Sequence, residues 1–150
     1  MQKRPRKCRE SSFLIAIFLL LISCTSSTAD REDYSPKFQQ YYVQGGVLYQ
    51  QYCSNCHQSN GKGLGRLYPP VDQSDFMEDN FEEVVCIIKY GKQGSLRVND
   101  VDYNMTMKGN TNLTELEVAE ITTFIYNTWS HKKGLVNVKE VTHILSSCNN

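Results

Sequence analysis

The 150-residue chain reads as an all-α domain, a bundle of short helices. Three observations carry that reading. Aromatic residues and glycines recur at spacings of three and four from Lys37 to Asn55. Thr114 and Glu117 have the spacing of a capping box just ahead of an apolar run. Between the helical stretches only Leu96 to Tyr103 alternates as a short hairpin would.

The N-terminus stands apart from that domain. Lys3, Arg4, Arg6, Lys7 and Arg9 precede an apolar run from Phe13 to Ile22. The run is too short for a stable membrane span and has the layout of an export signal. Leu21-Ile22-Ser23-Cys24 resembles the lipobox of bacterial lipoproteins. That resemblance implies a signal peptide over residues 1–23, cleavage before Cys24 and lipid on its sulfur. Ordinary signal cleavage further on, near Ala29, is the alternative. The protein is thus expected in the bacterial cell envelope, anchored to a membrane by its lipid and facing the periplasm or the exterior. Residues 24–36, rich in Ser, Thr and Asp, read as a flexible tether, and residues 37–150 as the folded domain. Without residues 1–23 the basic side chains fall from 16 to 11 and the acidic from 16 to 15, leaving net −4. That balance argues against a nucleic-acid partner. It also suggests a docking face that meets positive patches on a partner.

In the first helix, Tyr42, Gly45, Gly46, Tyr49 and Tyr52 share one side. Each glycine costs about 1 kcal/mol of helix propensity relative to alanine, so another backbone is expected to approach there. The helix runs into Cys53-Ser54-Asn55-Cys56-His57. The C-x-x-C-H spacing is that of covalent c-type haem attachment, with two thiols one turn apart and a histidine placed beneath the iron. A thioredoxin-like dithiol would need a βαβ pattern, and half of a zinc site a second Cys/His pair. Neither is visible nearby. The loop Gly61-Lys62-Gly63-Leu64-Gly65 lacks a preceding strand and Walker spacing, so a phosphate site is discounted. Its glycines are expected to let the backbone approach a porphyrin edge. A second helix spans Phe81 to Tyr90, with Asn80 as its cap, Gly91 as its stop and Val84, Val85, Ile87 and Ile88 facing the core. The third runs from Thr114 to about Trp129, with Val118, Ile121, Ile125 and Trp129 on one side. A fourth covers about 137–148, with Val141, Ile144, Leu145 and Cys148 turned inward.

Gly45-x-x-x-Tyr49-x-x-x-Cys53-x-x-Cys56-His57, with Ile121-x-x-Phe124 downstream, resembles the class I c-type cytochromes over about Gly45 to Trp129. The resemblance implies a cytochrome c-like bundle of short helices wrapped around one covalently attached haem c, held through Cys53 and Cys56. It implies that a proline carbonyl, Pro69 or its neighbour Pro70, orients His57. It implies a methionine as second iron ligand on the loop before the last family helix. Tyr103-Asn104-Met105-Thr106-Met107-Lys108 occupies that place, and aligning the tyrosine selects Met107. Lys108 stands where the family has proline, which keeps Met105 in contention. His131 and His143 are weaker rivals, read as surface histidines, and Met77 reads as packing.

A thioether is soft and neutral and favours ferrous iron, and six-coordinate iron has no position for a small-molecule substrate. The expected function is therefore single-electron transfer between envelope redox proteins, not enzymatic catalysis. Two alternatives stay open: a haem subunit fixed in an oxidase or dehydrogenase complex, and a haem enzyme or gas sensor with an open axial position. Cys86 and Cys148 remain after these assignments. In an oxidising compartment they are a disulfide candidate, with two buried thiols as the alternative.

Overall fold

The computed structural model describes residues 35–148. The expected signal peptide, Cys24 and the expected tether up to residue 34 lie outside the described residues. The first helix, α1, spans Pro36–Tyr52. Ser35 caps it by accepting from the Phe38 backbone N–H (3.1 Å), and Pro36 occupies the first turn, where its missing N–H costs nothing. A one-turn helix, α2 (Ser54–His57), follows directly. Then come α3 (Asp75–Asp79), α4 (Phe81–Tyr90), α5 (Glu115–Ile125) and α6 (Val138–Ser147). Two strand pairs complete the domain. β1 (Gly91–Lys92) runs antiparallel to β4 (Met107–Lys108), and β2 (Leu96–Val98) pairs with β3 (Val101–Tyr103). The β2–β3 hairpin turns at Asn99 and Asp100, both at positive φ, as a two-residue primed turn requires.

The organising contact is the crossing of α1 and α5, the most extensive helix pairing in the domain. A Cβ on Gly45 would overlap the Glu120 carbonyl and lie 2.8 Å from Phe124 Cβ. Only glycine permits that approach, which accounts for the helix propensity given up there. Phe124 then packs against Tyr42 and Tyr49, with ring centroids 5.3 and 5.5 Å apart. The buried face of α1 is Phe38, Tyr41, Gly45, Leu48 and Tyr49. It differs from the expected stripe at its end, because Tyr52 is 47% exposed. The inward face of α4 is as expected, with Val84, Val85, Ile87 and Ile88 buried.

Two local expectations are corrected. Asn80 stands at the N-cap position of α4, but its side chain makes no capping bond; it turns back and donates to the Phe76 carbonyl (3.0 Å), closing the unanticipated α3. The last family helix, α5, starts at the expected capping box, Thr114 N–H donating to Glu117 Oε2 (2.7 Å), but stops at Ile125. It stops because side chains take over its final carbonyls. Asn127 Nδ2 donates to Thr123 O (2.7 Å) and Gly134 O (2.9 Å), and Thr128 Oγ1 donates to Phe124 O (2.7 Å). The chain therefore folds back as a loop over 127–134. Helix α6 then begins at Asn137, whose side chain accepts from Lys139 N–H (3.0 Å). Its apolar side packs Val141, Ile144 and Leu145 into the core. Just past its end, Cys148 is disulfide-bonded to Cys86 on α4, with Cα atoms 5.8 Å apart.

Glu120 is a carboxylate buried at the helix crossing, only 5% exposed. Burial raises its pKa, and the nearby Glu117 charge adds to the effect. The folded state thus favours the protonated form. The resulting stability is complete below the unfolded carboxyl value of about 4.3 and is lost as pH rises through the folded value. Glu120→Gln should therefore melt higher than the parent at pH 7, by roughly 4 °C for ~1 kcal/mol, and at nearly the same temperature below about pH 4. Melting curves at the two pH values check this.

Candidate haem site

Where α1 ends, one tight turn assembles three side chains. The Cys53 backbone N–H still donates to Tyr49 O (2.9 Å), while its carbonyl accepts from both Cys56 N–H (3.1 Å) and His57 N–H (3.0 Å). Gln58, at φ 62°, ends α2 immediately after the histidine. Its carbonyl accepts from the Tyr49 hydroxyl (2.7 Å), so the buried tyrosine locks the exit of the turn. Cys53, Cys56 and His57 are thereby fixed against the end of the helix that crosses α5.

His57 Nδ1 lies 3.0 Å from the Pro69 carbonyl oxygen. A carbonyl only accepts, so Nδ1 carries the proton and Nε2 keeps its lone pair. Of the two prolines, Pro69 makes this contact. Burial pushes the His57 pKa down, with the Pro69 carbonyl opposing, and the neutral ring is the metal-binding form. Burial, with the adjacent Cys56, drives the Cys53 thiol up to about 12. A dithiol redox catalyst needs the opposite, a thiol held well below its ordinary pKa.

The glycine loop packs closely against the protein itself. A Cβ on Gly63 would sit 2.7 Å from Pro69 O, and one on Gly61 would sit 2.9 Å from the Trp129 indole. Gly63 N–H donates to His57 O (3.0 Å), and Gly61 O accepts from Val71 N–H (2.8 Å) and Asp72 N–H (2.9 Å). These glycines let the loop close on the protein itself and hold the Pro69 carbonyl in place.

His57, Cys53, Pro69 and Met107 line one continuous cleft. Its outer part, about 420 Å³, is also bounded by Cys56, Tyr52, Met105 and Lys108. Its inner end is apolar, walled by Val84, Ile87, Ile88, Val98, Ile121 and Ile125. Met107 borders both parts, whereas Met105 borders only the outer one and is 51% exposed. Met77 is buried in the core and its carbonyl accepts from the Tyr126 hydroxyl (2.7 Å). His143 is exposed on α6.

His131 corrects the expectation of a surface histidine, being only 6% exposed. Its Nε2 lies 3.1 Å from Val71 O and its Nδ1 3.6 Å from the Glu78 carboxylate. His131 itself does not border the cleft. Beside it, Ser130 Oγ accepts from Gln73 N–H (2.9 Å), and Ser130 N–H donates to Asp72 (3.2 Å). The 130–131 pair thus clasps the segment that follows Pro69. No sequence pattern marked it, because a Ser-His after a helix looks the same whether buried or not.

Two thiols, an imidazole with a free Nε2, a thioether and apolar walls around one cleft match the donor set and shape of covalent haem. The comparisons agree. Residues 42–125 match the family described as cytochrome c oxidase, cbb3-type, subunit III. The chain is 30% identical over 102 residues to cytochrome c-552 of Thermus thermophilus, covering 65% of this chain and 77% of that protein. It is 27% identical over 106 residues to the cytochrome c subunit of a quinone alcohol dehydrogenase from Gluconacetobacter polyoxogenes, covering 68% of this chain but 22% of that one. A helical domain with this turn, this cleft and these relatives belongs to the monohaem c-type cytochromes, electron-transfer proteins that carry covalently bound haem c.

Proposed function

We propose that Cys53 and Cys56 bond the porphyrin, that His57 Nε2 and Met107 sulfur hold the iron, and that the protein shuttles single electrons between redox proteins of a bacterial envelope. When bound, haem supplies a one-electron couple. The chain supplies everything that tunes it. The Pro69 carbonyl holds His57 in one tautomer and one orientation and raises its basicity. The apolar inner walls exclude water, and a thioether favours the reduced state. The single observation that carries the reading is His57 Nδ1 donating to Pro69 O in a cleft that Met107 also borders. Optical spectra of the oxidised and reduced protein test it. Low-spin spectra with a far-red sulfur-to-iron band and no CO binding are expected. A high-spin spectrum with ready CO binding would instead make this a haem enzyme or sensor with an open position.

The cleft mouth is the natural exit for the electron. Its charged lining residues are Lys108 and Lys92, the latter paired with Glu83, and Tyr52 and Met105 expose apolar surface there. This local chemistry favours a partner face that is apolar with an acidic margin, in place of the basic partner suggested by net charge. Short-range steering of this kind is screened by salt. Electron transfer to an acidic redox partner should slow as ionic strength rises, and a rate that climbs with salt would reject the acidic margin. Similarity to a dehydrogenase cytochrome subunit keeps a second arrangement in view, a fixed place in a complex. Constant stoichiometry through purification would favour it over a free shuttle.

Lipid on Cys24 and an envelope location complete the proposal. They rest on the basic N-terminus, the short apolar run and the cysteine that ends it. No described helix is long and apolar enough to cross a membrane. Mass spectrometry of the exported protein should find a diacylglyceryl group at Cys24, and an unmodified chain beginning near residue 30 would refute lipidation.

A further inference from the structure

The methionine strand has no helix of its own, and proline is missing after Met107, so something else must fix it. The candidate is the C-terminal end of α4. There β1 pairs with β4 in the register Gly91↔Lys108 and Lys92↔Met107. Two glycines lie diagonally across that pair, Gly91 opposite Lys108 and Gly109 one residue further on. A Cβ on Gly91 would overlap the Met107 carbonyl and lie 2.5 Å from Gly109 N. A Cβ on Gly109 would lie 2.6 Å from Gly91 N and overlap the Tyr90 backbone. One residue pair further out, Lys89 Nζ donates to the carbonyls of Thr111 (2.7 Å) and Leu113. These two carbonyls lie in the loop that joins β4 to α5. The strand bearing Met107 and the loop that follows it are therefore held by one helix terminus, through backbone contact at residues 107–109 and charge-assisted hydrogen bonds to Thr111 and Leu113. The rest of α4 walls the inner cleft through Val84, Ile87 and Ile88.

We infer that Gly91, Gly109 and Lys89 are positioning residues that set how far Met107 reaches into the cleft, and so set the strength of its bond to iron. This rests on Met107 being the ligand. The device takes over the role that a proline after the methionine plays in stiffening the loop. It makes α4, and not the loop's own sequence, the part that controls sixth-ligand exchange.

The variants separate space from backbone strain. Gly109 has ordinary φ, so Gly109→Ala adds only a methyl group where the Tyr90–Gly91 backbone already lies. Gly65 has φ +53° and nothing within 4 Å of a Cβ, and it borders neither part of the cleft, so Gly65→Ala adds strain without contact. Gly109→Ala should keep covalent haem and helical circular dichroism, yet lose most of the far-red sulfur-to-iron band and bind CO. Gly65→Ala should keep the band and stay inert to CO. In Lys89→Met, displacement of the methionine by cyanide should quicken roughly tenfold or more, the effect of losing the charge-assisted hydrogen bonds to Thr111 and Leu113. Lys89→Arg should restore the slow rate. A Gly109→Ala protein with an intact band and no CO binding overturns the inference. If Gly109→Ala does not fold, an unchanged exchange rate in Lys89→Met overturns it instead. Met107→Leu tells the two failures apart. If that variant retains the parental band, the ligand assignment is at fault; if it loses the band while Gly109→Ala and Lys89→Met behave as parent, only the clamp is at fault.

Discussion

Replacing Cys53 and Cys56 together by serine will give a protein without covalently held haem that does not melt cooperatively. The two thiols sit at the end of α1 in the turn that also delivers His57. Deprived of its porphyrin, the variant must leave a cleft of about 420 Å³ open or collapse around it. The cleft opens to solvent, so water enters it, and the apolar inner wall of Val84, Ile87, Ile88 and Ile121 is wetted instead of buried, at about 1.5–3 kcal/mol for each such side chain exposed. That cost is comparable with the whole stability of a domain this size, roughly 5–15 kcal/mol. Far-UV circular dichroism against temperature decides the matter. A sharp native-like transition in the double-serine protein would show that α1, α5 and α6 hold the fold without their cofactor.

The second large effect belongs to the disulfide. Cys86 and Cys148 are 62 residues apart in sequence, and closing such a loop removes ~4 kcal/mol of unfolded-state entropy in the chain-entropy model. Cys86→Ser with Cys148→Ser should lower the melting temperature by roughly 15 °C. The visible spectrum of the folded protein should change little, because Cys86 does not border the cleft that its neighbours Val84 and Ile87 line. A loss of only a few degrees would mean that α6 is held by its apolar face alone.

The residues that could be read from sequence are those whose role is local. The capping box at Thr114 and Glu117, the turn at Asn99 and Asp100 and the inward face of α4 are set within a few residues, and each stands where the spacing put it. The C-x-x-C-H turn is local in the same sense. What sequence concealed depends on long-range partners. Asn80 looked like a cap, but the Phe76 carbonyl of an unanticipated helix claims its side chain. The run to Trp129 kept a helical period, but Asn127 reaches Gly134 and ends the helix early. His131 reads as a surface residue until the Val71 carbonyl is brought beside it across 60 positions. The β1–β4 pair, two residues on each side, is too short to leave any periodic trace.

The Cys86–Cys148 bond makes a covalent ring out of the second half of the domain, and the strand bearing Met107 lies inside that ring while His57 lies outside it. A single proteolytic clip anywhere between the two sulfurs would thus open the backbone without separating the pieces. On a non-reducing gel the nicked protein would migrate as one band, and only a reductant would release the fragment that ends at the C-terminus.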